Sequence, residues 1–84
     1  MHTEQVADDM VDFFSHTYRE LMPIDPIERL RVGLMIRAKV LKSFVSDVTR
    51  EVLIDSIKKE LRQRKEIAEL LYEDMYANTT RYEA

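Results

Sequence analysis

The chain contains no cysteine and no tryptophan, and only two prolines and one glycine in 84 residues. Without cysteine there are no disulfides and no thiolate zinc sites. With only His2 and His16, a histidine-based structural metal lacks ligands, so no metal and no cofactor is expected. A single glycine, Gly33, excludes a glycine-rich loop that cradles phosphate. The longest apolar run, Val32 to Ile36, is five residues, against the ~20 that a bilayer-spanning helix needs. The first residues are acidic where an export signal is basic and then apolar. These absences predict a soluble, cytoplasmic chain that does not contact a membrane.

The same scarcity reaches catalysis. Carboxylates are plentiful, but none sits in a patterned acid/base motif. The adjacent Ser15 and His16 point ~100° apart on a helix, which is not a nucleophile–base geometry. Asp12, His16 and Glu20 share a four-residue step, yet no second helix offers the partner ligands of a bundle metal site. No catalytic residue is assigned, and the chain reads as a non-enzyme.

What is present is helix. From Ile27 to Ala84 there is no proline, and Asp25-Pro26-Ile27-Glu28 ahead of it reads as a capping box with proline at the first helical position. A first helix is predicted over about residues 4–21, with Thr3 as its N-cap. Its apolar stripe is Val6, Met10, Phe13, Phe14, Tyr18 and Leu21. Pro23 ends it by disfavouring a helical Met22. A second helix over about 26–45 carries Ile27, Leu30, Leu34, Ala38, Leu41, Val45 and Val48, a coiled-coil-like seam. Val32, Ile36, Val40 and Phe44 form another stripe on a different side.

Between Ser43 and Thr49 the pattern loosens, with Ser46 or Asp47 as candidate N-caps. A turn or kink is expected there, in preference to one helix of about 50 residues and roughly 75 Å. A last helix over about 49–77 reads Leu53, Ile57, Leu61, then Ile67, Ala68, Leu71 and Met75, with 78–84 as a frayed tail. The fold class is all-α. One domain is expected: a small bundle with a short N-terminal helix on a long helical hairpin, or on one long kinked helix.

Eighty-four residues bury a marginal core, and self-association is the usual supplement when disulfides and metals are missing. Two apolar stripes on the second helix then predict a homodimer, with Val32, Ile36 and Val40 as the self-association face. At the chain's end, Tyr72, Met75 and Tyr76 crowd one helix with large apolar groups of the kind enriched in partner interfaces. They are the candidate partner-binding residues, unless they close the core against Phe13 and Phe14.

Charge is segregated. Residues 1–28 carry a net −6, residues 29–65 a net +7 and residues 66–84 a net −4. Either the acidic ends fold back on the basic middle, which is the expectation here, or the middle faces an anionic partner. The leading functional expectation is a protein-binding regulator, adaptor or chaperone-like factor. The alternative is a nucleic-acid-binding transcriptional regulator using Arg50, Lys58, Lys59, Arg62 and Lys65. Against that alternative, Asp55–Lys59, Glu60–Arg64, Arg62–Glu66 and Lys65–Glu69 are spaced as the ion pairs of a solvated helix face.

Overall fold

With so few breakers, almost every residue is free to join a helix. The computed structural model describes residues 2–83, and the side chains of residues 2–75. Helix α1 spans His2–Thr17, followed by a 3-10 turn over Arg19–Leu21; α2 spans Pro26–Ser43 and α3 Arg50–Glu83, with no strand among the described residues. The all-α expectation is met.

The boundaries show which local signals dominated. Tyr18 leaves helical geometry at φ −115°, ψ 40°, so α1 stops short of the expected Leu21. Thr3 lies inside α1 and is not its N-cap. Met22 is extended at ψ 141°, as a residue before proline should be. Asp25 does cap α2, but through the backbone N–H of Ile27 at 3.4 Å. Glu28 does not complete a capping box; it pairs with Arg31 at 2.8 Å.

The chain breaks after Ser43, where the N–H groups of Phe44 and Val45 bond the carbonyls of Leu41 and Lys42 at 3.3 and 3.2 Å. Ser46 does not start the next helix; its hydroxyl donates back to the Lys42 carbonyl at 3.1 Å. Thr49 does, its Oγ1 accepting from Val52 at 3.2 Å. Two separate helices replace the 50-residue rod. Helix α3 then runs to Glu83, past the expected Ala77. Asn78, Thr79 and Thr80 are weak helix formers, but extending an existing helix is far easier than nucleating one.

Each helix contributes three residues to one core: Ala7, Met10 and Phe14 from α1, Val32, Ile36 and Val40 from α2, and Leu53, Ile57 and Leu61 from α3. Their steps of three and four form ridges that interdigitate across helix pairs. Val32, Ile36 and Val40 are thus enclosed by the chain's own neighbours, and Ile36 is 0% exposed. This corrects the expectation that they form a self-association face. Their β-branched side chains are stiff at χ1, and they sit in a steady four-residue ridge. The coiled-coil-like seam is largely outside the core: Ile27, Leu30, Leu34 and Val45 are exposed.

Around the core the acidic first helix meets the basic second one. Arg37 pairs with Asp8. Lys39 bridges to Glu60 at 2.9 Å and to the Ser56 hydroxyl at 3.0 Å. Phe13, Phe14 and Tyr18 pack as an aromatic cluster with centroids 5.1–6.0 Å apart. Gly33 lies where α2 approaches α1: a Cβ built there would meet the Val11 side chain at 3.6 Å, an ordinary contact.

The whole measures 58 × 22 × 19 Å, with a radius of gyration of 16.1 Å, against about 12 Å for a compact globule of this length. The excess comes from α3, whose last core residue among the described side chains is Leu61 although the helix continues to Glu83.

Candidate functional site

The stripe that buries α3 does not stop where the core stops. At 100° per residue, Ala68 and Tyr72, seven and eleven positions after Leu61, return to within about 20° of its direction. Leu71 falls on the same side. Yet Ala68 is exposed, Leu71 is 59% exposed and Tyr72 74%. Ile67, Leu70 and Met75 nearby are exposed as well. The reading in which these residues close the core against Phe13 and Phe14 is therefore corrected. Phe14 is fully buried, and no described side chain of α3 beyond Leu61 belongs to the core around it.

Beside this stripe is a groove of about 690 Å³. Its floor is Val32 and Leu61, one wall is Ala68 and Tyr72, and the other is Met22, Pro23 and Ile24. Charge rims it: Asp25 and Glu28 on one side, Arg64, Lys65, Glu69 and Glu73 on the other. The Met22–Ile24 wall is tied down from α2. Arg29 donates from Nε to the Pro23 carbonyl at 3.1 Å and from Nη2 to the Ile24 carbonyl at 3.3 Å. From the groove's rim, Lys65 Nζ donates to the Glu20 carbonyl at 3.0 Å.

This wall and its Arg29 tie escaped sequence reasoning. One signal was available: Ile24, an apolar residue between two prolines and 90% exposed, sits where a turn needs no apolar side chain.

A second apolar surface lies on α2. Leu34 and Ala38 are two positions from Val32, Ile36 and Val40, which turns them nearly opposite to the core. Together with Ile27 and Leu30 they expose an apolar line along the helix. Toward α1 it borders Val11 and Ser15, and Arg37 and Asp8 flank it.

The predicted nucleic-acid residues are divided by the fold. Arg50, Lys59 and Arg62 are exposed. Lys58 lies over the Tyr18 ring, 4.8 Å from its centroid, and Lys65 holds the Glu20 carbonyl. Of the four expected helix ion pairs, Glu60–Arg64 forms at 3.5 Å. Glu60 also accepts from Lys39, which holds its carboxyl below the usual carboxylate range. Burial opposes that shift and Arg64 assists it. His16 donates through Nδ1 to the Asp12 carbonyl at 2.9 Å, and no cluster of metal-ligating side chains occurs among the described residues.

Of the predicted partner-binding residues, Tyr72 and Met75 are exposed on distal α3, and the side chain of Tyr76 lies outside the described residues. Among the described residues no helix is long and apolar enough to cross a membrane. No protein-family model, curated protein or solved structure matches the chain.

Proposed function

We propose that this protein is a non-enzymatic, cytoplasmic protein–protein interaction module: a small regulator, adaptor or chaperone-like factor that engages helical segments through distal α3 and the groove beside it. The observation that carries this reading is the continuation of the α3 core stripe past Leu61, with Leu71 and Tyr72 left uncovered. A soluble monomer gains nothing from exposing contiguous large side chains, and a charged rim around an apolar strip is the anatomy of a helix-in-groove site. We read α2 and α3 as a helical hairpin that sets the groove. The Lys39–Glu60 ion pair and the shared groove floor of Val32 and Leu61 support that arrangement.

A photo-crosslinking amino acid at position 72 tests the proposal in cells. Discrete polypeptide adducts are expected from position 72 and not from a control at Glu51, an exposed residue in the first turn of α3. Equal adduct patterns from the two positions overturn it. The nucleic-acid reading ranks second, because Lys58 and Lys65 are already engaged within the fold. It requires binding that falls steeply with salt and vanishes in an Arg62→Glu, Lys65→Glu variant.

A further inference from the structure

The groove between distal α3 and the Met22–Ile24 wall has an apolar floor and a rim whose charge does not balance. Asp25, Glu28, Glu69 and Glu73 line it against Arg64 and Lys65 alone, a net −2. Internal pairing leaves that sign unchanged. Arg64 turns to Glu60, and Glu28 to Arg31, neither partner lining the groove. What remains is Asp25, Glu69 and Glu73 against Lys65.

The fold itself leaves these carboxylates without cations. Lys65 stands one turn before Glu69, the spacing of a helix ion pair, but its ammonium is drawn to the Glu20 carbonyl, 3.0 Å away. Glu73 has no cation in reach along its own helix, because positions 69, 70, 76 and 77 are Glu, Leu, Tyr and Ala. Among the described residues neither Glu69 nor Glu73 has a hydrogen bond or an ion pair. They also stand four apart, a like-charge pair that weakens a helix until an opposite charge arrives. Asp25 spends one oxygen on the Ile27 N–H and keeps its charge.

The backbone around the groove decides the conformation of what enters. Helix α3 spends its amides and carbonyls on itself. On the opposite wall Pro23 has no N–H, and the Pro23 and Ile24 carbonyls already accept from Arg29. An extended segment on this floor would find no ladder, so the occupant has to satisfy its own backbone, as a helix does. From Leu61 to Glu73 the groove-lining stretch of α3 runs about 18 Å, room for roughly three helical turns. We infer that the groove takes a basic amphipathic helix of a partner protein. Its apolar stripe lies on Val32, Leu61, Ala68 and Tyr72, and its Lys or Arg side chains meet Asp25 on one rim and Glu69 and Glu73 on the other. This deepens the reading of the groove as a docking site, and rests on it.

Three synthetic helices test the charge separately from the docking. All carry leucine at i, i+4, i+7 and i+11, and their flanks are lysine, glutamine or glutamate. In fluorescence anisotropy the lysine peptide should bind about tenfold tighter than the glutamine one, since three rim pairs, each weak alone, combine to about that factor. The glutamate peptide should bind weakest, and about 1 M salt, which shortens screening to about 3 Å, should erase the ranking. Glu69→Lys with Glu73→Lys should put the glutamate peptide above the lysine one. Glu51→Lys with Asp55→Lys, both exposed and on the same flank of α3 but five turns and about 27 Å earlier, should leave the ranking as it is. Equal affinity for the lysine and glutamine peptides, or a control reversal as damaging as the groove reversal, overturns the inference. So does a wild type that sediments as a dimer and binds the lysine peptide only as a monomer, because a second copy then fills the groove. Peptides that bind alike and are all weakened by Tyr72→Ala leave the docking reading standing without its charge. No binding by any of them, or binding indifferent to Tyr72→Ala, removes both.

Discussion

Replacing Ile36 by alanine, beside the same change at Leu34, gives the sharpest check on which side of α2 is the inside. The two residues are neighbours on one helix and lose comparable side chains, but Ile36 is 0% exposed and Leu34 59%. Truncating a buried isoleucine costs about 2–5 kcal/mol, from lost transfer energy and the cavity left behind. A surface truncation stays within about 0.5 kcal/mol. A chain of this size is stable by about 4–13 kcal/mol, at roughly 0.05–0.15 kcal/mol per residue, so Ile36→Ala removes a large share. At about 4–8 °C per kcal/mol for a small domain, it lowers the melting temperature by about 10 °C or more, while Leu34→Ala moves it by a few degrees at most. Circular dichroism followed through heat and urea measures both. Equal losses at the two positions would refute the assignment of the inner stripe, and so would a larger loss at Leu34.

The remaining predictions concern single contacts. Gly33→Ala should stabilise the chain by about 0.5–1 kcal/mol, since helical glycine is penalised and the added methyl meets only Val11 at 3.6 Å; a lower urea midpoint would contradict this. Asp25→Ala removes the side-chain acceptor for Ile27 and should cost about 0.5–1 kcal/mol in the same titration. Glu60 has a folded-state pKa below its unfolded value, chiefly through the Lys39 hydrogen bond. Its contribution is present above the unfolded carboxylate pKa and lost as pH falls through the folded one. The pair is partly exposed, so that contribution is under about 1 kcal/mol. Lys39→Met should flatten the acid limb of the stability–pH curve, and an unchanged limb would show that the pair contributes nothing.

Helix content and the break near Thr49 were legible because they follow from local chemistry: proline placement, capping side chains and three-to-four spacing. The choice between the two apolar stripes of α2 was not. Ile27–Leu30–Leu34 and Val32–Ile36–Val40 are both periodic and both apolar, so periodicity alone cannot rank them. What separates them is which stripe the other two helices cover, a tertiary choice that local pattern does not encode. Charge does not rank them: Lys39 beside the Val32–Ile36–Val40 ridge reaches Glu60 on α3, but Arg37, seven residues after Leu30 and between the two stripes, reaches Asp8 on α1. Arg31, next to Leu30, pairs only within its own helix, with Glu28.

Of the pairs made by Arg37 and Lys39, Arg37–Asp8 joins the acidic first segment to the basic middle, whereas Glu60 belongs to the middle segment itself. At the candidate site, Tyr72 was visible as a large side chain at a helix end. The opposite wall was not, because the Arg29 bonds to Pro23 and Ile24 depend on backbone carbonyls that no side-chain pattern announces.

Past Leu61, α3 must hold its shape mainly by its own hydrogen bonds and side-chain propensities. Helix–coil equilibria in water are shallow, so amide exchange should be faster between Arg62 and Met75 than between Leu53 and Leu61. The docking proposed for this stretch is therefore thermodynamically coupled to coil-to-helix ordering. Cooling or a little trifluoroethanol, by favouring the ordered form beforehand, should tighten capture with no change in any contact.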